Sequence, residues 1–151
     1  MESYRPRVIL SAAISLDGKL ATRTGDSKLS SQRDKIRVHK LRSRFDAILV
    51  GKNTVEIDNP LLAAQGIKGK NPVRVILDSR ATIRASSKIL RTCSEIPTII
   101  AVSKMAKKKN LDKLKKFPIV VKVCGNNKIN MKKLLKFLKE KKIKNLLVEG
   151  G

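Results

Sequence analysis

The sequence predicts an α/β fold built on a mainly parallel sheet, and three features of the chain support this prediction. Apolar runs such as 48–50, 75–77 and 146–148 have the length and composition of strands buried on both faces of a sheet. Turn residues or a carboxylate close each run at its carboxyl end. Helix-like segments separate the runs, which is typical of βαβ units. Because ligands of such sheets bind at the carboxyl edge of the strands, we expect a functional site at that edge.

The amino-terminal part of the chain predicts a strand, a helix and a second strand. The first strand, 7–14, leads into an Asp-Gly turn at 17–18. A helix is predicted to begin near Ser31, because Asp34 follows three residues later in a capping-box-like arrangement. The apolar run 47–50 is the second strand.

The middle of the chain predicts two more strands. Residues 51–58 form a turn and about one turn of helix, which the Asn-Pro pair after them stops. Strands are predicted at 73–78 and 98–102, and the segment 79–97 between them is polar. Ser103 is expected to cap a lysine-rich helix that ends near residue 117.

The carboxyl-terminal part predicts a strand at 119–123, a helix capped by Asn130 and the last strand at 146–148. The helix has apolar residues at i, i+3, i+4 and i+7, namely Met131, Leu134, Leu135 and Leu138. The elements together predict a single domain over 1–151, without an internal repeat or a linker. The chain stops on a glycine pair where a loop and a helix normally follow, so we expect the domain to be incomplete after Gly151.

The chain is strongly basic, with 35 Lys and Arg against 12 Asp and Glu and a formal net charge of +23. Most of the excess is lysine on the polar faces of predicted helices, so solvated helix faces are the favoured interpretation. Steering of an anionic small ligand, or binding of nucleic acid or an acidic partner, are the alternatives. The chain has no Trp and one Tyr and therefore lacks aromatic stacking platforms, so nucleic acid is not the expected partner.

Several classes of protein are excluded by composition. The apolar runs are far shorter than the roughly 20 residues that span a bilayer, and no apolar signal core opens the chain, so we expect a cytoplasmic protein without membrane contact. Cys93 and Cys124 have no closely spaced Cys or His partners, which favours two buried thiols over a disulfide or a metal site. His39 is the single histidine, so catalysis by several imidazoles is excluded.

Some residues that follow the predicted strands are candidates for ligand binding, each with a simpler alternative. A short helix opening after Gly51 suits an anion such as a pyrophosphate, to which Thr54 adds a hydroxyl and Asp58 an acceptor for a ribose hydroxyl. The alternative is that Thr54 only caps the helix. Asp78 and Ser79 contact a cofactor, or Asp78 only starts an Asx-type turn.

The end of the last strand and the first helix provide further candidates. Gly150 and Gly151 form a second cradle for a ligand, although glycine pairs are common after strands. Glu149 is interpreted as a ligand contact rather than a packing residue. Arg42 is either a solvated side chain or the partner of a phosphate. Neither glycine segment matches the full Rossmann fingerprint or the Walker phosphate loop.

Six blocks of sequence occur in a specific order. They read SLDGKLA at 15–21, GDS at 25–27, VHKLR at 38–42, AILVGKNTVEIDNP at 47–60, NPVRVILDS at 71–79 and LVEGG at 147–151. In this order and spacing they resemble the riboflavin-biosynthesis pyrimidine reductase family over essentially the whole chain. No zinc-deaminase signature precedes them, so the resemblance is to the stand-alone archaeal type rather than to the bifunctional bacterial deaminase–reductase.

The resemblance implies a dihydrofolate-reductase-like fold, NADPH as cofactor and a homodimer. It implies that a phosphorylated pyrimidine, 2,5-diamino-6-ribosylamino-4(3H)-pyrimidinone 5′-phosphate, is reduced at its ribosyl group to the ribityl form. The hydride goes to the sugar C1 of an opened or imine form, so no catalytic nucleophile and no metal is assigned.

The resemblance also implies site residues. Cofactor contacts fall on Ala13, Leu29, Thr54, Asp58, Ser79 and Gly151, to which the residue patterns add Asp78 and Gly150. Substrate contacts fall on Ser27, Arg42, Leu62 and Glu149, with Arg42 as the phosphate partner. The family has Asp-Asp-Pro where this chain has Asp-Asn-Pro at 58–60. The competing interpretation is a non-catalytic basic module on the same fold that binds nucleic acid or another partner.

Overall fold

A computed structural model of the protein describes residues 4–20, 22–23, 31–64 and 70–150. Six strands and five helices alternate along this part of the chain. The strands are β1 (Arg7–Leu10), β2 (Ala47–Gly51), β3 (Val73–Leu77), β4 (Thr98–Val102), β5 (Val120–Val123) and β6 (Asn145–Val148). The helices are α1 (Gln32–Arg42), α2 (Lys52–Asp58), α3 (Lys88–Arg91), α4 (Lys108–Leu114) and α5 (Met131–Glu140).

All six strands belong to one parallel sheet with the order β1-β6-β2-β3-β4-β5. The last strand, β6, lies between the first two, with Asn145 opposite Arg7 of β1 and Leu146 opposite Ala47 of β2. Because the strands are parallel, their carboxyl ends lie at one edge. The predicted α/β class with a parallel sheet is therefore confirmed.

The sheet is covered by helices on both faces. Ile48 and Val50 of β2 contribute to one core cluster, together with residues of α2, α3 and α4. Ala47 and Leu49 contribute to a second cluster, in which Leu134, Phe137 and Leu138 of α5 take part. Because neighbouring residues of β2 point to opposite faces and the first four are buried, residues 47–50 form an unbroken apolar run.

Two of the predicted helix caps are confirmed. The Ser31 side chain accepts a hydrogen bond from the Asp34 amide at 3.2 Å and begins α1. The Asn130 side chain accepts one from the Lys133 amide at 3.1 Å and begins α5. Each cap satisfies an amide that the helix itself leaves without a partner.

Several predicted boundaries are wrong. β1 ends at Leu10 instead of residue 14, because the chain leaves the sheet after the Ser11 amide donates to the Val148 carbonyl at 2.9 Å. The helix after β4 is capped at Lys107 and not at Ser103, whose hydroxyl donates to the Ser79 carbonyl at 2.8 Å. The segment predicted only as polar contains the short helix α3, whose Ile89 and Leu90 are buried.

Within the described ranges, none of the helices is long and apolar enough to cross a membrane. α1, with 11 residues, is longer than the other four helices.

Cys93 and Cys124 are free and buried. Burial raises the pKa of the Cys124 thiol, although Lys122 and Lys133 oppose the shift. Because the thiolate is the reactive species, we expect iodoacetamide to modify Cys124 far more slowly in the native protein than in urea. The raised pKa also means that the free energy of unfolding falls as the pH rises above about 8.5, where the unfolded thiol ionises and the native thiol does not. Mass spectrometry of timed alkylation measures the rate at which Cys124 is modified, and equal rates in the native protein and in urea would contradict the expected difference.

Candidate active site

A cleft of about 330 Å³ lies where β1 and β6 end. Ser11, Ala12 and Ala13 line it after β1, and Glu149 and Gly150 line it after β6. Helix α1 forms one wall with Asp34, Lys35, Arg37, Val38, His39 and Arg42, and Leu20 and Asp58 complete the lining. The cleft has the size of a small-molecule site and lies at the edge of the sheet where ligands of α/β proteins bind.

An ion pair between α1 and the end of β6 lies in the wall of the cleft. Arg42 Nη2 donates to Glu149 Oε2 at 2.7 Å and Arg42 Nε donates to Glu149 Oε1 at 3.0 Å. The side chains are only 15% and 12% exposed, so water screens the pair less than it screens a surface ion pair. The fork geometry fixes the plane of the guanidinium, and its remaining donors stay available to another anion.

The segment after α2 also contacts α1. Arg42 Nη1 donates to the Ala63 carbonyl at 3.5 Å, and His39 Nδ1 lies 3.0 Å from the same carbonyl oxygen. His39 is thus half-buried in the cleft wall. The Ala63 carbonyl links both α1 side chains to the segment that carries Leu62.

Gly150 forms a close contact that only glycine allows. Its φ is +100°, and a Cβ atom there would lie 2.7 Å from Thr54 Oγ1. The backbone after β6 therefore passes directly over the first turn of α2, with the Thr54 hydroxyl beside it. This arrangement brings two predicted cofactor contacts, Thr54 and Gly150, together at the rim of the cleft.

A second, shallower cavity lies at the ends of β2 and β3 and is lined by Gly51, Asn53, Asp78 and Ser79, among others. Asp78 is 2% exposed, and its carboxylate accepts from the Ile83 amide at 2.7 Å and from the Thr82 hydroxyl at 3.3 Å. The main contacts of Asp78 are therefore local ones, as expected from the simpler interpretation that this residue starts a turn. Its neighbour Ser79 is half-buried and faces the cavity.

The structure brings some of the predicted site residues together and separates others. Ala13, Arg42, Asp58, Glu149 and Gly150 line the cleft, and Thr54 touches its rim. Asp78 and Ser79 line the second cavity on the same edge of the sheet. Leu62 is 1% exposed and part of the core, so its side chain does not reach the cleft. Ser27, Leu29 and Gly151 lie outside the described residues.

Apart from Arg42, sequence patterns did not assign the charged residues on the α1 wall to the site. Asp34 was assigned only to the helix cap, yet it also lines the cleft and accepts from Arg37 Nε at 2.7 Å. The available signal is the helical spacing of Asp34, Arg37 and Val38 with Arg42, which places them on adjoining faces of α1. The excess positive charge lies elsewhere, since residues 104–144 contain 16 lysines against only Asp112 and Glu140.

The residues at this edge fit a nicotinamide dinucleotide. Gly51 leaves open space over the start of α2, and the bare backbone of Gly150 lies directly against the Thr54 hydroxyl. Asp58 is exposed at the other end of α2 and lines the cleft. Hydroxyl, carboxylate and bare backbone are the groups that hold ribose and phosphate in such sites.

Comparison with known proteins gives consistent relatives. The RibD C-terminal domain profile matches residues 6–151. The chain is 43% identical over 150 residues to a protein of Methanothermobacter thermautotrophicus named 2,5-diamino-6-ribosylamino-4(3H)-pyrimidinone 5′-phosphate reductase, covering 97% of this chain and 68% of that one. It is 41% identical over 152 residues to the protein of the same name from Aquifex aeolicus, covering 97% of this chain and 67% of that one.

Solved structures give the same result. The Thermotoga maritima diaminohydroxyphosphoribosylaminopyrimidine deaminase/5-amino-6-(5-phosphoribosylamino)uracil reductase superimposes with a TM-score of 0.79 at 32% identity, over 97% of this chain and 39% of that one. The riboflavin biosynthesis reductase of Saccharomyces cerevisiae superimposes with a TM-score of 0.74 at 28% identity, over all of this chain and 65% of that one. The chain thus spans about two thirds of the single-function relatives and about two fifths of the bifunctional one.

Proposed function

Because the chain belongs to the RibD C-terminal domain family, we propose that its cleft carries out the NADPH-dependent reduction of 2,5-diamino-6-ribosylamino-4(3H)-pyrimidinone 5′-phosphate to the ribityl form. The family makes the protein a reductase of riboflavin biosynthesis that uses a nicotinamide cofactor. NADPH rather than NADH, a homodimeric state and a cytoplasmic location are parts of the proposal. The comparisons do not support the alternative of a non-catalytic nucleic-acid module.

The observation that carries the proposal is the convergence of Arg42, Asp58, Glu149 and Gly150 from three different segments on one cleft. Arg42 offers a cation, held in one orientation by Glu149, to the 5′-phosphate of the substrate. Glu149 offers acceptor oxygens to hydroxyl or amino groups of the substrate. The two side chains thus orient the substrate from one end of the cleft.

The cofactor site lies next to these groups. A bound nicotinamide supplies a hydride, which reduces the ribosyl C1 together with a proton. Thr54, Asp58 and Gly150 bind the ribose and phosphate parts of the dinucleotide, and the open space beside Gly51 lets it approach the start of α2. Binding and orientation are what this chain must provide, because the transfer needs no protein nucleophile.

The test is an assay of NADPH oxidation with the pyrimidine substrate, run beside titrations with NADPH and with single-stranded and duplex nucleic acid at two salt concentrations. We expect substrate-dependent oxidation and NADPH binding that changes little with salt. A steep salt dependence of nucleic-acid binding, without NADPH binding, would instead favour the basic module.

Asp58 provides a direct test of the cofactor site. Replacing it with alanine is expected to raise the Kd for NADPH about tenfold, which corresponds to the roughly 1.4 kcal/mol of a hydrogen bond to a charged acceptor. Fluorescence titration of NADPH measures the effect. Asp112→Ala is the matched control, because Asp112 is an exposed carboxylate on α4 that pairs with Lys115 at 3.2 Å. Equal Kd values for the Asp58 variant and the wild-type protein would contradict the assignment.

A further inference from the structure

Arg74 is a cation in the centre of the sheet. It lies on β3, is completely buried, and donates six hydrogen bonds to oxygen atoms of neutral groups. The acceptors are the hydroxyls of Thr92 and Thr98 and the carbonyls of Leu61, Ile89 and Ile96. Burial lowers the pKa of Arg74 to about 10, with Cys93 and Glu95 opposing the shift, so the side chain is charged at neutral pH.

A buried cation with only neutral hydrogen-bond acceptors is costly, because the nearby Glu95 carboxylate does not hydrogen-bond to it and compensates only part of the cost of its transfer from water. An apolar side chain would fill the same position in a parallel sheet without that cost. The six hydrogen bonds therefore indicate a specific task, which is to hold the segments that carry the five acceptor residues.

One of these segments contains two backbone conformations that are unfavourable outside glycine. It comprises residues 59–64, in which Asn59 has a φ of 41° and Leu62 has a φ of 54°. Leu62 is also buried, so it is held in this conformation by its surroundings. Such conformations persist only where several contacts determine them, and they cluster at functional sites.

The contacts of segment 59–64 come from two sides. From the core, Arg74 Nη1 donates to the Leu61 carbonyl at 3.2 Å. From the cleft, Arg42 and His39 contact the Ala63 carbonyl. Asn71 Oδ1 accepts from the Ala64 amide at 3.1 Å. Segment 59–64 therefore connects the buried cation to the Arg42–Glu149 pair.

We propose that Arg74 is a positioning residue of the active site, which fixes the Ala63 carbonyl through Leu61 and thereby the orientation of Arg42 towards the substrate phosphate. This inference rests on the proposed function for the identity of the phosphate. The cation acts on substrate binding through two peptide units and does not touch the substrate.

The test compares two variants that release the segment with one that does not. Arg74→Lys keeps the charge but loses the fork of donors, and Asn71→Ala removes the other tether with little effect on the core. Thr92→Val is the matched control, because it removes an acceptor of Arg74 on the α3 side and leaves the bond to Leu61.

We expect Arg74→Lys and Asn71→Ala to raise the KM for the pyrimidine phosphate about tenfold, as a displaced binding group does, with the KM for NADPH within about twofold of wild type. Thr92→Val lowers the melting temperature and leaves both KM values unchanged. Hydrogen exchange supplies a second measurement, since the Ala64 amide exchanges faster in Arg74→Lys while the amides of β2 keep their protection.

Three outcomes separate the hypotheses. An unchanged substrate KM in both releasing variants would overturn the positioning role, as would an increase of equal size in Thr92→Val. If Arg74→Lys does not fold, an unchanged substrate KM in Asn71→Ala overturns the proposal, because the position of segment 59–64 then has no effect on substrate binding. If the wild-type chain reduces no substrate, the proposed function fails, and the exchange of Ala64 still decides whether Arg74 holds the segment.

Discussion

Replacing Arg42 with alanine is expected to raise the KM for the phosphorylated pyrimidine about 100-fold and to change the KM for NADPH little. The loss of a charge-assisted contact to phosphate corresponds to about 2–3 kcal/mol, or roughly two powers of ten in affinity. The variant also leaves the carboxylate of Glu149, now 12% exposed beside its partner, without a cation. We therefore expect a lower melting temperature as well, because an unpaired and mostly buried charge is destabilising. Steady-state kinetics and thermal unfolding measure the two effects.

Two variants on α1 control for this prediction. Arg42→Lys keeps the charge without the fork geometry, so its KM is expected to lie between those of wild type and Arg42→Ala. Arg37→Ala removes another arginine of the same helix and cleft, but its side chain is 61% exposed and pairs with Asp34 at the surface. We expect a change in KM of less than about threefold for Arg37→Ala, as for other surface ion pairs. An equal increase for both arginines would show a general electrostatic effect and contradict a specific phosphate contact.

Replacing Gly150 with alanine is expected to abolish tight binding of the cofactor and to destabilise the protein by about 2–4 kcal/mol. The added Cβ would lie 2.7 Å from Thr54 Oγ1, and the φ of +100° is unfavourable for alanine in any case. Relief of the overlap requires the backbone after β6 to move away from α2. This movement would displace Glu149 and Thr54 relative to each other and so disrupt both parts of the site.

Substitutions at other glycines separate the effect of Gly150→Ala on cofactor binding from its effect on stability. Gly51→Ala is expected to be neutral for stability, because Gly51 has ordinary extended backbone angles and nothing within 4 Å of an added Cβ. Gly125→Ala should destabilise the protein without affecting NADPH binding, since its φ is +118° and its added Cβ would meet the Lys128 carbonyl, after β5. Thr54→Ala in the Gly150→Ala background should recover part of the lost stability but not the backbone strain. NADPH binding of wild-type strength by Gly150→Ala would contradict the predicted cofactor cradle.

Sequence patterns were sufficient for the positions of the strands and for the caps of α1 and α5. The apolar runs at β2, β4 and β6 needed only the rule that strands of a parallel sheet are buried on both faces. Ser31 and Asn130 act through amides three residues away, so their role is local and visible in the chain itself. The carboxyl-edge position of Glu149 and Gly150 followed from the same rule.

Tertiary contacts determined what the patterns missed. Helix α3 is only four residues long and is stabilised by the burial of Ile89 and Leu90, which no local period reveals. Asp78 offers the same turn chemistry whether or not a ligand is present, and only its bonds to Thr82 and Ile83 identify its use. The burial of Arg74 depends on acceptors from three other segments, and the conformation of Leu62 depends on its buried surroundings, so the single sequence contains no signal for either.

The position of the last strand has a consequence for how the chain acquires its structure during synthesis. β2 to β5 are neighbours in both chain order and space, so each can pair as it emerges from the ribosome. β1 has no such neighbour, because its sole pairing in the described sheet is with β6, about 138 residues later if measured from Arg7 to Asn145. The long stretch of chain between β1 and β6 must close before their pairing contributes to stability, and this slows folding. Among the six described strands, β1 therefore precedes the others in the chain but joins the sheet only after β6 is made, and Leu10, 71% exposed, is accessible to chaperones throughout that interval.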